Sequence, residues 1–105
     1  MPHPNKIDFS AIEWISPMPG VRFKRHVVGN KQLRLVEYSR EFAEPDWCVK
    51  GHTGYVIDGE LEIDFDGTPV LYNTGDAINI PAGEENRHKA KILSEKATVF
   101  LSEDV

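Results

Sequence analysis

With 105 residues the chain has room for one domain and not for two. Its 40% hydrophobic and 28% charged residues suit a packed core and exclude a disordered chain, and a formal net charge of -5 argues against a nucleic-acid partner, which would call for clustered Lys and Arg. No apolar run approaches the ~18 residues of a bilayer span, and the opening MPHPNKIDFS has no apolar signal core, so a cytoplasmic protein with no membrane partner is expected.

Residues 1–20, with Pro2, Pro4, Pro17, Pro19 and Gly20, read as an extended N-terminal arm, because proline removes donors and fixes the backbone. Phe9, Ile12, Trp14 and Ile15 are too apolar to float free. They are expected to cover one end of the following domain or to add to a neighbouring subunit. Residues 21–105 form that single domain. VRFKRHVV and QLRLVEYS read as strands, followed by a proline-interrupted EFAEPDW. Arg22, Lys24 and Arg25, set among Val21, Phe23 and His26, read as a solvated strand face.

From residue 53 to 80 the segments TGYVI, ELEIDF, TPVLYN and DAINI are separated by Asp58-Gly59, Asp66-Gly67 and Thr74-Gly75. Asp-Gly pairs favour tight hairpins because glycine accepts the positive φ such turns require. Strands this short and evenly punctuated predict a sandwich or barrel. In ELEIDF, Leu61, Ile63 and Phe65 take one face and Glu60, Glu62 and Asp64 the other, as a sheet with one wet side demands. KATVFLS, residues 96–102, reads as the last strand. The fold class is therefore all-β, with Leu61, Ile63, Phe65, Ile78 and Ile80 expected inside and no place for a long helix.

Three residues carry potential chemistry. Cys48 is the only cysteine, so it forms no internal disulfide and either packs as a small buried hydrophobe or does chemistry. His52 sits beside Gly51 and Gly54 in a stretch free of bulk. His88 is flanked by Arg87 and Lys89 on the opposite strand parity. Tyr55 and Trp47, out of phase with His52, are expected to pack between sheets or against a second subunit, and Glu84 and Glu85 to be solvated loop charges.

The segment DWCVKGHTGYVIDGELEIDF followed by TGDAINIPAGEENRHKA resembles the two signature motifs of the cupin superfamily. With Gly59 as the turn glycine of the first motif, the family's glutamate position falls on His52 and its His-x-His pair on Asp46 and Cys48. Gly75, Pro81 and Gly83 match the second motif, whose histidine position falls on Asn86, two residues before His88. The resemblance implies a double-stranded β-helix, a jelly-roll barrel of two antiparallel sheets, with a polar pocket inside. If the strand is continuous, period-two alternation points Asp46, Cys48 and His52 the same way, and Asn86 with His88 likewise. In cupins these positions face the interior, which makes Asp46, Cys48, His52, Asn86 and His88 the pocket residues.

Imidazole with thiolate favours zinc, iron, nickel or copper over magnesium or calcium. Cys48, His52 and His88 are thus the expected ligands of a divalent transition metal, with manganese also within the family's range, and the partner is a small molecule, sugar-like or carboxylate-bearing. Two metal-free alternatives stand beside this: an acid-base enzyme in which His52 or His88 moves a proton and Asp46 orients it, and a binding or sensing module without chemistry. A homodimer is expected from the apolar arm and the small core.

Overall fold

The Asp66-Gly67 pair shows how local sequence sets the architecture. In the computed structural model, which describes residues 3–105, both residues take positive φ, 54° and 102°, and the Phe65 N–H donates to the Thr68 carbonyl at 2.9 Å. This is the two-residue hairpin loop whose twist matches the strands it joins. Those strands are β5 (Glu60–Asp64) and β6 (Pro69–Asn73), and with β8 (Lys89–Ile92) they form a three-stranded sheet in the order β6-β5-β8.

The second sheet has six strands: β1 (Ile15–Met18), β2 (Val21–Val28), β3 (Lys31–Ser39), β4 (His52–Asp58), β7 (Ala77–Ile80) and β9 (Lys96–Asp104), ordered β1-β2-β3-β9-β4-β7. All strand pairs are antiparallel. The two sheets face each other as a jelly roll. Among the described residues the only helical turns are 3-10 turns at Phe9–Ala11 and Glu84–Asn86, and no helix is long and apolar enough to cross a membrane.

Alternation decides which residues meet between the sheets. Leu61 and Ile63 from β5, Ile78 and Ile80 from β7, and Ala97, Val99 and Leu101 from β9 are buried, joined by Val36, Val56 and Ile92. Phe65 packs half-buried against them. Each fully buried Val, Leu or Ile contributes about 1.5 to 3 kcal/mol before ordering costs. On the wet side of the small sheet Glu62 faces Lys91, whose Nζ lies 3.7 Å from the carboxylate. Gly54 marks the tightest strand contact: a Cβ there would fall 1.9 Å from the Phe100 carbonyl oxygen, so only glycine lets β4 lie this close to β9.

The arm is more structured than its prolines suggest. Met1 and Pro2, where the expected arm begins, lie outside the described residues. Beyond them the arm lies on the outer face of the six-stranded sheet, with Phe9 edge-on to Phe100 at 6.4 Å and Trp14 under Arg22 and Lys24 at 4.2 and 4.8 Å. It then supplies β1 as an edge strand paired with β2.

Between β3 and β4 the chain changes sheets. Ala43 bridges Lys91 and Cys48 bridges His88, so residues 43–48 run antiparallel beside β8 before the chain turns at Lys50-Gly51 and enters β4 in the other sheet at His52. The proline-interrupted segment is this corner.

Candidate metal centre

The corner brings Cys48 and His88 together as a cross-strand pair, each backbone N–H donating to the other's carbonyl at 2.9 and 3.0 Å. His52 begins β4 just past the turn. One ligand atom from each of Cys48, His52 and His88 lies within 4.8 Å of the others. Cys48 Sγ is 3.6 Å from His52 Nε2, and the two imidazole centroids stand 5.1 Å apart at 80°. His88 is almost fully buried, with the Phe65 ring 5.9 Å away.

Both imidazoles are held by their second nitrogen. His88 Nδ1 lies 3.0 Å from the Asn86 carbonyl oxygen, an acceptor, and His52 Nδ1 is hydrogen-bonded to the Glu103 carboxylate. An acceptor at Nδ1 requires the proton there, which in the neutral imidazole leaves Nε2 with a lone pair. This outer support is the arrangement that fixes metal-binding histidines.

Glu103 lies just past residues 96–102, the span in which the sequence shows a strand. The strand continues to Asp104, and Glu103 follows Ala97, Val99 and Leu101 on the inward face. Its carboxylate accepts from Gln32 Nε2 at 2.9 Å, from Arg34 Nε at 2.6 Å, from Arg34 Nη2 at 2.8 Å and from His52 Nδ1. Those four bonds fill its four lone-pair positions, so Glu103 orients His52 and has no site left for a metal. Burial alone would raise this carboxyl group. Hydrogen bonds from His52 and Arg34, with the guanidinium charge, outweigh burial and hold it at about 2.

Glu44 is a second group the sequence did not single out. It shares strand parity with Cys48, and its carboxylate accepts from the Ala90 N–H at 2.9 Å. Burial pushes its pKa up, against that hydrogen bond and the nearby His88 and His52. Burial likewise raises the Cys48 thiol, with Glu44 adding to the effect and a backbone hydrogen bond from Lys50 opposing it, so the sulfur is no activated nucleophile on its own. Tyr38, packed on Phe42 at 4.8 Å, is pushed up to about 12 by burial.

Two of the five expected pocket residues stand elsewhere. Asp46 is exposed at a bend after Pro45 and outside the cavity lining, and Glu103, not an aspartate, orients His52. Asn86 ends the second 3-10 turn and contributes its carbonyl to His88. Trp47 and Tyr55 are exposed, with Arg87 and Lys89 over the Trp47 ring at 5.3 and 4.8 Å, and Glu84 and Glu85 are solvated.

Cys48, His52 and His88 open onto a cavity of about 970 Å³ that continues past Leu61, Ile63 and Ile80 to the mouth of the barrel. The donor set, two imidazole nitrogens with lone pairs free and one thiol, suits a borderline-soft transition metal.

The architecture is shared with solved structures. KdgF from Halomonas sp. is 23% identical, with 89% of this chain and 86% of that one covered at a TM-score of 0.73. A sugar phosphate isomerase of the cupin superfamily from Silicibacter pomeroyi is 19% identical, covering 95% and 75% at 0.76. The polyketide cyclase RemF from Streptomyces resistomycificus is 16% identical, covering 97% and 80% at 0.78. At these identities the likeness is one of fold. No curated protein matches the chain in sequence. The cupin domain family model matches residues 49–102, just over half of the chain and the stretch that carries His52, His88 and both turn motifs, and the chain therefore belongs to the cupin family.

Proposed function

We propose that the barrel binds a small polar molecule, sugar-like or carboxylate-bearing, through a divalent transition metal, zinc, iron, nickel or manganese, held by Cys48 Sγ and the Nε2 atoms of His52 and His88. The observation that carries this reading is the shared tautomer: acceptors at both Nδ1 atoms leave two Nε2 lone pairs beside one thiol. Three protein ligands leave a position open, and a metal there supplies Lewis acidity toward a ligand oxygen. The chain's own groups do the rest. Glu103 and the Asn86 carbonyl fix the two rings, Phe65 packs beside His88, and the cavity opens the cluster to solutes. The named activities of two solved structures of this fold, a sugar phosphate isomerase and a polyketide cyclase, agree with a barrel that takes small oxygenated molecules.

Protein purified without chelator is expected to carry about one metal per chain by elemental analysis, and His52→Ala or His88→Ala to lose it. Stoichiometric metal surviving in both variants, or none in the parent, overturns the reading.

One observation favours a second reading. The His52-Glu103 pair, with the Cys48 thiol against Nε2, is also an oriented acid-base group that needs no metal. In that case His52→Ala weakens ligand binding while no metal is released. For assembly, we propose a homodimer through the outer face of the six-stranded sheet, where Tyr55 and Ile57 remain exposed beside the arm. Sedimentation at micromolar concentration as a monomer, unchanged by deletion of residues 1–20, sinks it.

A further inference from the structure

Arg22, Lys24 and Arg25 look equivalent in the sequence, and the sheet separates them. Arg22 and Lys24 lie on the outer face, over Trp14, with Arg22 bonded to Glu37 and Lys24 to the Phe9 carbonyl. Arg25 turns the other way and lines the cavity. It stands directly opposite Arg34 in the β2-β3 register, and cross-strand partners share a face.

Two guanidinium groups opposite each other repel unless anions neutralise both. Arg34 has its anion in Glu103 and its face on the Phe23 ring at 5.2 Å. Glu103 cannot serve Arg25 as well, because its acceptor positions are filled. The balance of the cavity wall runs the same way. Arg25, Lys31, Arg34 and Lys50 line it against Glu44, Glu103 and Asp104. Lys31 pairs with Asp104 at 3.5 Å, and Glu44 accepts from the Ala90 N–H at 2.9 Å. Among the described residues Arg25 and Lys50 have no carboxylate partner within ion-pair distance. A chain of net charge -5 thus sets four Lys and Arg against three Asp and Glu at its cavity.

We propose that Arg25 selects the ligand: the molecule taken up by the barrel carries an oxyanion, carboxylate or phosphate, that Arg25 holds while its other end reaches Cys48, His52 and His88. The planar guanidinium fork matches either group in two parallel hydrogen bonds. The inference rests on the reading of this cavity as the ligand site.

The test uses the full chain, with metal per chain measured on every sample, and titration calorimetry at fixed ionic strength with glucuronate, glucose 6-phosphate and glucose. At least one of the two anionic sugars is expected to bind about tenfold or more tightly than glucose, and the one that does so names the oxyanion. Arg25→Gln brings it to within about twofold of glucose, and Arg25→Lys keeps part of the preference. Lys91→Gln, the same charge change on the outer face of the small sheet, leaves the preference intact, which separates a local contact from the general field. Absence of an anion preference in the parent protein, or its survival in Arg25→Gln, overturns the proposal. A preference that depends on Arg25 in protein without metal retains the inference and removes the metal from the proposed function.

Discussion

Along β9 the inward residues run Ala97, Val99, Leu101 and then Glu103, and opposite them on β3 run Tyr38, Val36, Arg34 and Gln32. On β4 the matching pair is Val56 and then His52. One end of each strand therefore seals the barrel, with Val36, Val56, Ala97 and Val99 at 0 to 1% exposure, while the other end, about 13 Å further along, supplies a charged network at the mouth. The two ends are the same elements doing different work. The sealed end is held by burial that needs no direction, and the mouth by polar groups satisfied only as a set. Loss of one methyl group at the sealed end leaves a small void, whereas loss of one member at the mouth strands the others.

The largest effect is expected where that set is broken. Glu103→Ala leaves Arg34 and His52 without their shared carboxylate, and removing one partner of a buried ion pair costs about 4 kcal/mol. Urea denaturation reads this directly, and a loss below about 1 kcal/mol contradicts the account of the mouth. The same variant should weaken metal binding about tenfold or more, since His52 loses its anchor.

Acid should act on the same group. Folding holds the Glu103 carboxyl at about 2, below its ordinary 4.5, so the folded state favours the charged form. The resulting stability is fully present above pH 4.5 and is lost as pH falls toward 2, by about 3 kcal/mol in chelator-treated protein. Glu103→Gln has no carboxyl to titrate there and is expected to show a flatter profile. Equal slopes for the two proteins would place the acid sensitivity elsewhere.

At the sealed end Val56→Ala removes two methyl groups from the core and is expected to cost about 2 kcal/mol. Metal per chain should not change. A fall in metal content without unfolding would show that the two ends are coupled, contrary to the division drawn above.

How far the sequence could be read follows the same division. Asp66-Gly67 and the alternation of ELEIDF were legible because positive φ and period two are local properties. Cys48, His52 and His88 could be singled out as a group, although their meeting depends on the sheet-changing corner and not on one continuous strand. Glu103 was hidden because alternation reports which face a residue takes and not the height at which the barrel turns polar, and an acidic residue near the chain's end reads as a solvated tail. Arg25 was hidden among its basic neighbours for the complementary reason: one step along β2 changes the face, and charge alone does not say which face is the cavity.

Asp46 fails by the rule that served elsewhere. Parity places a residue only along an unbroken strand, and the bend at Pro45-Asp46 carries Asp46 out to solvent while Glu44 and Cys48 on either side of it stay with the cavity. Asn86 differs again, since what it gives His88 is a backbone carbonyl that any residue could supply. Asp46→Asn and Asn86→Ala are therefore expected to change stability by no more than about 0.5 kcal/mol and to leave metal per chain unaltered, while Cys48→Ala and His88→Ala lose the metal. Elemental analysis of the four variants side by side separates the cases. Loss of metal in Asp46→Asn would restore a continuous strand through the corner, and loss in Asn86→Ala would mean that its side chain, and not its carbonyl, holds the His88 ring.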